Sequence, residues 1–159
     1  MKWSMIVVWI VLSAVAGCGG KNGTPCSGAT CADVGGSYLV NYNQLSSSSC
    51  KYVTHVPQEE ITILQNGSDL TIEGDSEFHG TLFTNKTASF STRLTNVPAD
   101  GCTSTCNYNI NVSINLTFNA QNQITGTETD NLTATTTQVG VGQGDQACEL
   151  FLQLTGGPG

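Results

Sequence analysis

Asn109-Ile110-Asn111-Val112-Ser113-Ile114-Asn115-Leu116-Thr117-Phe118 is the stretch that decides the fold class. Ile110, Val112, Ile114, Leu116 and Phe118 alternate without a break with Asn and hydroxyl residues. Successive side chains of a strand point to opposite faces, so this segment presents one apolar and one polar face only when extended. Wound as a helix, it would scatter the same five apolar side chains around the axis. The reading is therefore a β-strand with one buried and one wet face, which is the habit of antiparallel sheets.

Working outward, the same texture recurs with turn signals between. Upstream, Gly35-Gly36 opens into a strand at Ser37-Tyr38-Leu39-Val40-Asn41-Tyr42, and Ser46 to Ser49 reads as a loop. Cys50 to Val56 looks extended and is stopped by Pro57. Glu59 to Gln65 and Asp69 to Glu73 form the clearest hairpin, with Asn66-Gly67 as its turn. Phe78 to Phe83 and Thr87 to Leu94 follow, separated by Asn85-Lys86, and Pro98 to Cys106 reads as a loop. Downstream, Asn119 to Asn122 turns into Gln123 to Thr137, a strand carried by Ile124 and several Thr residues and bent at Gly126. Val139 to Gly144 is a glycine-rich loop. Cys148 to Leu154 closes the chain, with Leu150, Leu152 and Leu154 on one face.

No segment reads as a helix and no internal repeat is visible. About eight to nine short antiparallel strands joined mostly by tight turns describe an all-β, up-and-down meander that closes into a small barrel, with a β-sandwich as the alternative. Closure suits a sheet with few lysines, because a barrel has no edge to protect.

The N-terminus carries a different message. Lys2 precedes an apolar run from Trp3 to Ala16, the pattern of an export signal and too short to span a bilayer as a helix. Ala14-Val15-Ala16 fits ordinary signal peptidase. Val15-Ala16-Gly17-Cys18 resembles the bacterial lipobox, and that resemblance implies a leader of residues 1–17, cleavage before Cys18 and acylation of Cys18. The cysteine count favours the second reading. The chain has seven cysteines, an odd number for an exported protein, and lipidating Cys18 leaves six for disulfides. Residues 18–25 are then the lipidated Cys and a flexible tether, and residues 26–159 a single β domain. With Gly19 rather than Asp after the lipidated Cys, the resemblance implies an outer-membrane address. A soluble secreted protein is the alternative.

Composition excludes several partner classes. After removal of the leader, Lys21, Lys51, Lys86 and Arg93 stand against 12 acids, a net charge of −8. Neither nucleic acid nor a polybasic grip on anionic lipid fits that balance. The surface is built from Ser, Thr, Asn and Gln, and the six Asn-x-Ser/Thr triplets are the chance product of such a composition.

The remaining chemistry is sparse. Cys26, Cys31, Cys50, Cys102, Cys106 and Cys148 read as three disulfides rather than a zinc site, in an oxidising compartment. Fifteen pairings are open, and if the sheet closes, an early cysteine joined to Cys148 would lock the seam. His55 and His79 lack the setting of ligands or bases, and Glu59-Glu60 with Glu73, Asp75 and Glu77 read as solvated acids at strand ends and turns. No serine sits in a nucleophile elbow and no glycine loop leads into a helix, so no catalytic residue, metal or cofactor is expected, and the chain is not read as an enzyme.

Gly36-Ser37-Tyr38 at the first strand, followed by a meander ending on a cysteine-bearing last strand, resembles the lipocalin-like barrels found among bacterial lipoproteins. The resemblance spans residues 33 to 155, with Tyr38 where that family carries Trp. It implies a membrane-anchored envelope protein that binds a small apolar or lipidic ligand. The alternative is a structural or protein-interaction module of the envelope whose core is filled by its own side chains.

Overall fold

A computed structural model describes residues 23–46, 49–50, 56–74, 76–99, 106–135 and 147–159, the side chains of Ala99 and Cys106 excepted. The described chain is a closed antiparallel barrel of eight strands in sequence order. They are β1 (Gly36–Gln44), β2 (Gln58–Asn66), β3 (Asp69–Glu73), β4 (Phe78–Leu82), β5 (Thr87–Ala99), β6 (Cys106–Phe118), β7 (Ile124–Ala134) and β8 (Ala147–Pro158). Each pairs with its neighbour, and β1 closes on β8 from Tyr38↔Pro158 to Gln44↔Leu152. The meander and its closure are as expected, and the sandwich is excluded. The extended reading of Cys50 to Val56 falls largely outside the described residues, and its described ends, Cys50 and Val56, carry no strand.

Every apolar side chain of the decisive stretch is buried: Ile110, Val112, Ile114, Leu116 and Phe118 all face the interior. Tyr38 and Val40 of β1, Ile61 and Ile63 of β2, and Leu150, Leu152 and Leu154 of β8 meet them there. The strands are not uniformly short. β5 and β6 run 13 residues each, whereas β3 and β4 have only five. The wall is tall on one side and low on the other.

Two local corrections have plain causes. The two-residue turn of the first hairpin is Gly67-Ser68, because Asn66 pairs with Asp69. Gly67 alone has positive φ, at 63°, which is the demand of a turn with glycine first, whereas Asn-Gly at the centre would need positive φ at both positions. Pro98 does not begin a loop. β5 continues past Leu94 through a bulge, in which two residues oppose one between Leu94↔Ile110 and Val97↔Tyr108. Asn96 takes φ 61° there, and its backbone N–H donates to Asn109 Oδ1 at 3.3 Å. Pro98 is tolerated because β4–β5 pairing has already stopped at His79↔Ser91, leaving no ladder on that side.

One end of the barrel is stoppered by the lead-in from Gly23 to Gly35. Its start is pinned to the β4–β5 turn, where Cys26 N–H donates to Leu82 O at 3.1 Å and Thr84 N–H to Thr24 O at 3.0 Å. Cys26 is bonded to Cys31 across a short 3-10 turn, Gly28–Thr30. Val34, fully buried, plugs the end. Gln65 holds it from both sides, accepting from Val34 N–H and donating to Ala32 O, each at 2.8 Å. The Tyr38 hydroxyl donates to Val34 O at 2.8 Å, and the ring meets Phe118 edge-on with centroids 6.2 Å apart. Tyr38 thus packs this end with its ring while its phenol satisfies a buried carbonyl.

Candidate functional site

Opposite the stopper the barrel is not filled. A cavity of about 430 Å³ enters between the short β3–β4 side and the bulged part of β5, inside the size range of small-molecule sites. Its walls come from most of the strands, each contributing inward positions of the period-two pattern. Val40, Ile61, Ile72, Ile114, Leu116 and Leu154 form the apolar lining, with Phe78, Val97 and Val56 nearer the mouth. The bulge at Asn96 shifts the parity of β5, which is why Val97 shares an interior role with Leu94 despite odd spacing. An eight-stranded barrel has room either for its own side chains or for one small ligand, and here the low wall leaves space.

The polar part of the site stands on β1, β2 and β7. Glu128 and Asp130 are two residues apart on β7 and both point inward, each less than a tenth exposed. They are hydrogen-bonded to each other. Burial, reinforced by the Asp130 charge and that hydrogen bond and then by Glu59, pushes the Glu128 carboxyl up to about 8. That shift favours the protonated form of Glu128 at neutral pH. Tyr42 projects from β1 into the same region, and its hydroxyl donates to Glu59 of β2. Burial, then the charges of Glu128 and Glu59, raise the Tyr42 phenol well above its ordinary value, so it remains a neutral donor. Glu59, Glu128 and Tyr42 all line the cavity.

Such an arrangement offers an apolar chamber with carboxyl groups and a phenol on one wall. It has no nucleophile poised beside a base, and among the described residues no three His, Cys, Asp or Glu side chains converge as a metal site would require.

Glu59 is the correction here: its neighbour Glu60 is solvated as expected, but Glu59 faces the cavity. Glu73 and Glu77 are exposed, and Asp75 lies outside the described residues. His79 is on the outer face, near the Thr71 hydroxyl at 3.3 Å and Glu77 at 3.5 Å, and His55 lies outside the described residues. Of the cysteines, Cys26 bonds Cys31 and Cys50 bonds Cys148. The latter is the expected seam lock: Cys50 sits in the β1–β2 connection and Cys148 at the start of β8. Cys18 and Cys102 lie outside the described residues, and Cys106 opens β6 with its side chain undescribed.

Glu128 and Asp130 are functional candidates that the strand reading of residues 123 to 137 passed over. Their signal was parity. Ile124 and Leu132 are an even number of positions apart and both belong inside, so everything at even spacing between them must face inward too. Comparison with protein-family models, with curated proteins and with solved structures finds no significant match to this chain.

Proposed function

We propose that the chain is a lipid-anchored protein of the cell envelope whose barrel binds a small, mainly apolar ligand. The observation that carries this reading is the 430 Å³ cavity with a predominantly aliphatic wall, at the end of the barrel opposite the stopper. Water in such a space has few hydrogen-bond partners, so an apolar guest that displaces it gains the free energy of burying its surface, about 25 cal/mol per Å². The lipocalin-like reading of the barrel accords with this: Gly36-Ser37-Tyr38 opens β1, and Tyr38 packs at the stoppered end while the other end receives the ligand. Attachment through Cys18 rests on Val15-Ala16-Gly17-Cys18 and on the odd cysteine count. Two or three acyl chains hold a protein stably where one does not. The domain then needs no membrane-binding surface of its own.

Mass spectrometry of the mature protein, extracted from the membrane of the cells that make it, tests both halves. Intact mass is expected to show an acylated glyceryl adduct on Cys18 and six fewer hydrogens, one pair for each disulfide among the other six cysteines. Native spectra are expected to show a co-purifying small molecule that leaves on denaturation. An unmodified chain beginning at Gly17 would falsify the anchor. An interior that is empty as purified and takes up no apolar probe would overturn the carrier reading in favour of a structural module.

A further inference from the structure

The stopper and the point where the chain enters the barrel share one end. β1 starts there at Gly36, and β2, β4, β6 and β8 finish there, because neighbouring strands run antiparallel. The described chain begins at Gly23, beside the β4–β5 turn, where a Cβ on that glycine would lie 3.4 Å from the Asn85 side chain. Thr24 O accepts from Thr84 N–H at 3.0 Å, Pro25 and Phe83 form an antiparallel bridge, and Cys26 N–H donates to Leu82 O. The entry point is thus fastened over several residues at the closed end. The cavity lies at the other end, lined by Tyr42 late in β1, Glu59 at the start of β2, Gly74 after β3 and Phe78 at the start of β4.

Charge is divided along the same axis. Among the described residues, Glu60, Glu73, Glu77 and Glu149 are exposed at or near the mouth ends of β2, β3, β4 and β8. At the stoppered end the exposed acids are Asp33 and Asp69, and they share it with exposed Lys86. Lys21 precedes Gly23 in the sequence and adds a second cation on that side.

Resting on the Cys18 anchor proposed above, we infer that the barrel turns its stoppered end to the membrane that holds it and opens its mouth away, so that ligand passes between the chamber and the aqueous side. Chain length decides between this orientation and its inverse. Cys18 and Gly23 are five residues apart, a reach of at most about 18 Å even when fully extended. β6 has 13 residues, and at about 3.4 Å per residue and a tilt of about 40° it stands about 30 Å along the barrel axis. A barrel with its mouth on the bilayer would hold Gly23 about 30 Å above the surface, beyond the reach of the acylated residue. Tipping the barrel onto its low wall would bring the mouth closer to lipid. It would also press Glu73 and Glu77 onto the bilayer, where anionic head groups repel them and lost hydration penalises them. The stoppered end meets the surface with fewer acids and with Lys86 and Lys21 beside it.

The mature chain contains no tryptophan, since Trp3 and Trp9 both lie in the leader, so one introduced indole reports its own height above the lipid. The acylated protein is placed in vesicles of phosphatidylethanolamine and phosphatidylglycerol that include a lipid with a nitroxide on its head group, a short-range quencher. Gln121→Trp marks the exposed β6–β7 turn at the stoppered end, and Leu45→Trp marks the exposed position just past β1 at the mouth end. Emission of the first is expected to fall about twofold and that of the second by less than about a tenth, given the ~30 Å between the ends. Asn85→Trp and Val56→Trp make the same comparison should either of the first pair not melt cooperatively. Equal quenching at the two ends, or stronger quenching at the mouth, in protein that floats with the vesicles would overturn the orientation and leave the anchor standing. Protein that does not float with the vesicles would overturn the anchor and the orientation with it.

Discussion

Glu128 occupies an inward position whose ladder partners are Ile114 and Leu152, so a leucine would be the unremarkable occupant. Its consequence for stability has a definite sign. The unfolded carboxyl titrates at its ordinary 4.5, while the folded one holds its proton up to about 8. Between those values the unfolded chain binds fewer protons than the folded one, so stability falls as pH rises from about 4.5 to about 8 and is flat beyond. Glu128→Gln, which cannot ionise, is expected to match the parent below about pH 4.5 and to be increasingly more stable than it as pH rises toward 8. Urea unfolding across that range reads the difference, and two parallel pH profiles would show that Glu128 is ionised in the folded protein. This residue was within reach of the sequence through the parity of Ile124 and Leu132. The Tyr42–Glu59 contact was not, because it joins two strands whose register is set by the connection between them, and that connection has no turn signature.

Among elements, legibility tracked the unbroken length of the alternation. β6 carries five apolar positions at period two and was readable at sight, and β8 with Leu150, Leu152 and Leu154 nearly so. β5 was cut short because its alternation changes phase at Asn96, and a bulge looks the same as a strand end until the partner strand is known. β7 reads as a strand from Ile124 and its Thr residues, but its interior face holds Gly126, Glu128 and Asp130 in place of the hydrophobic residues that would mark that face in sequence. Gly126 is not a break: register runs through it without a shift, opposite Leu116 and Leu154. A Cβ there would overlap the Asn115 carbonyl oxygen and stand 2.8 Å from Leu116 Cδ2, so the glycine lets β6 and β7 approach closely as the sheet coils. Gly157, near the end of β8, offers the contrast, with nothing within 4 Å of the same added atom. Gly126→Ala is expected to cost roughly 2 to 3 kcal/mol, and Gly157→Ala to change stability by less than about 0.5 kcal/mol. Comparable losses from both substitutions in urea unfolding would mean that the close approach at Gly126 is not what makes that position sensitive.

At the scale of the whole molecule, closure was legible as a solution to unprotected edges, whereas the difference between the two ends was not. The end stoppered by Val34 and Tyr38 is held by Gln65, more than thirty residues away in sequence from the Val34 and Ala32 it bonds, and the open end follows from unequal strand lengths that turn residues do not encode. What sequence did foreshadow is that the seam would need a fastening. β1 and β8 are the one neighbouring pair not joined by the chain's own meander, and Cys50–Cys148 ties their open ends across a separation of 98 residues. Ser49 N–H to Glu149 O and Leu45 N–H to Phe151 O, both 2.8 Å, continue the contact beside it. Cys26–Cys31 closes a separation of only five residues and fastens the lead-in to itself. In the chain-entropy account a loop of about 100 residues is worth about 4.7 kcal/mol, and one of a few residues only about 2. Replacing Cys50 and Cys148 together by Ala is accordingly expected to destabilise the barrel by roughly twice as much as replacing Cys26 and Cys31. Hydrogen exchange should place the loss, with β1 and β8 amides deprotected in the first variant and those of β6 and β7 keeping the protection of the global transition. An equal effect of the two pairs, or uniform loss of protection around the barrel, would mean that the ladder from Tyr38↔Pro158 to Gln44↔Leu152 holds the seam without the covalent bond.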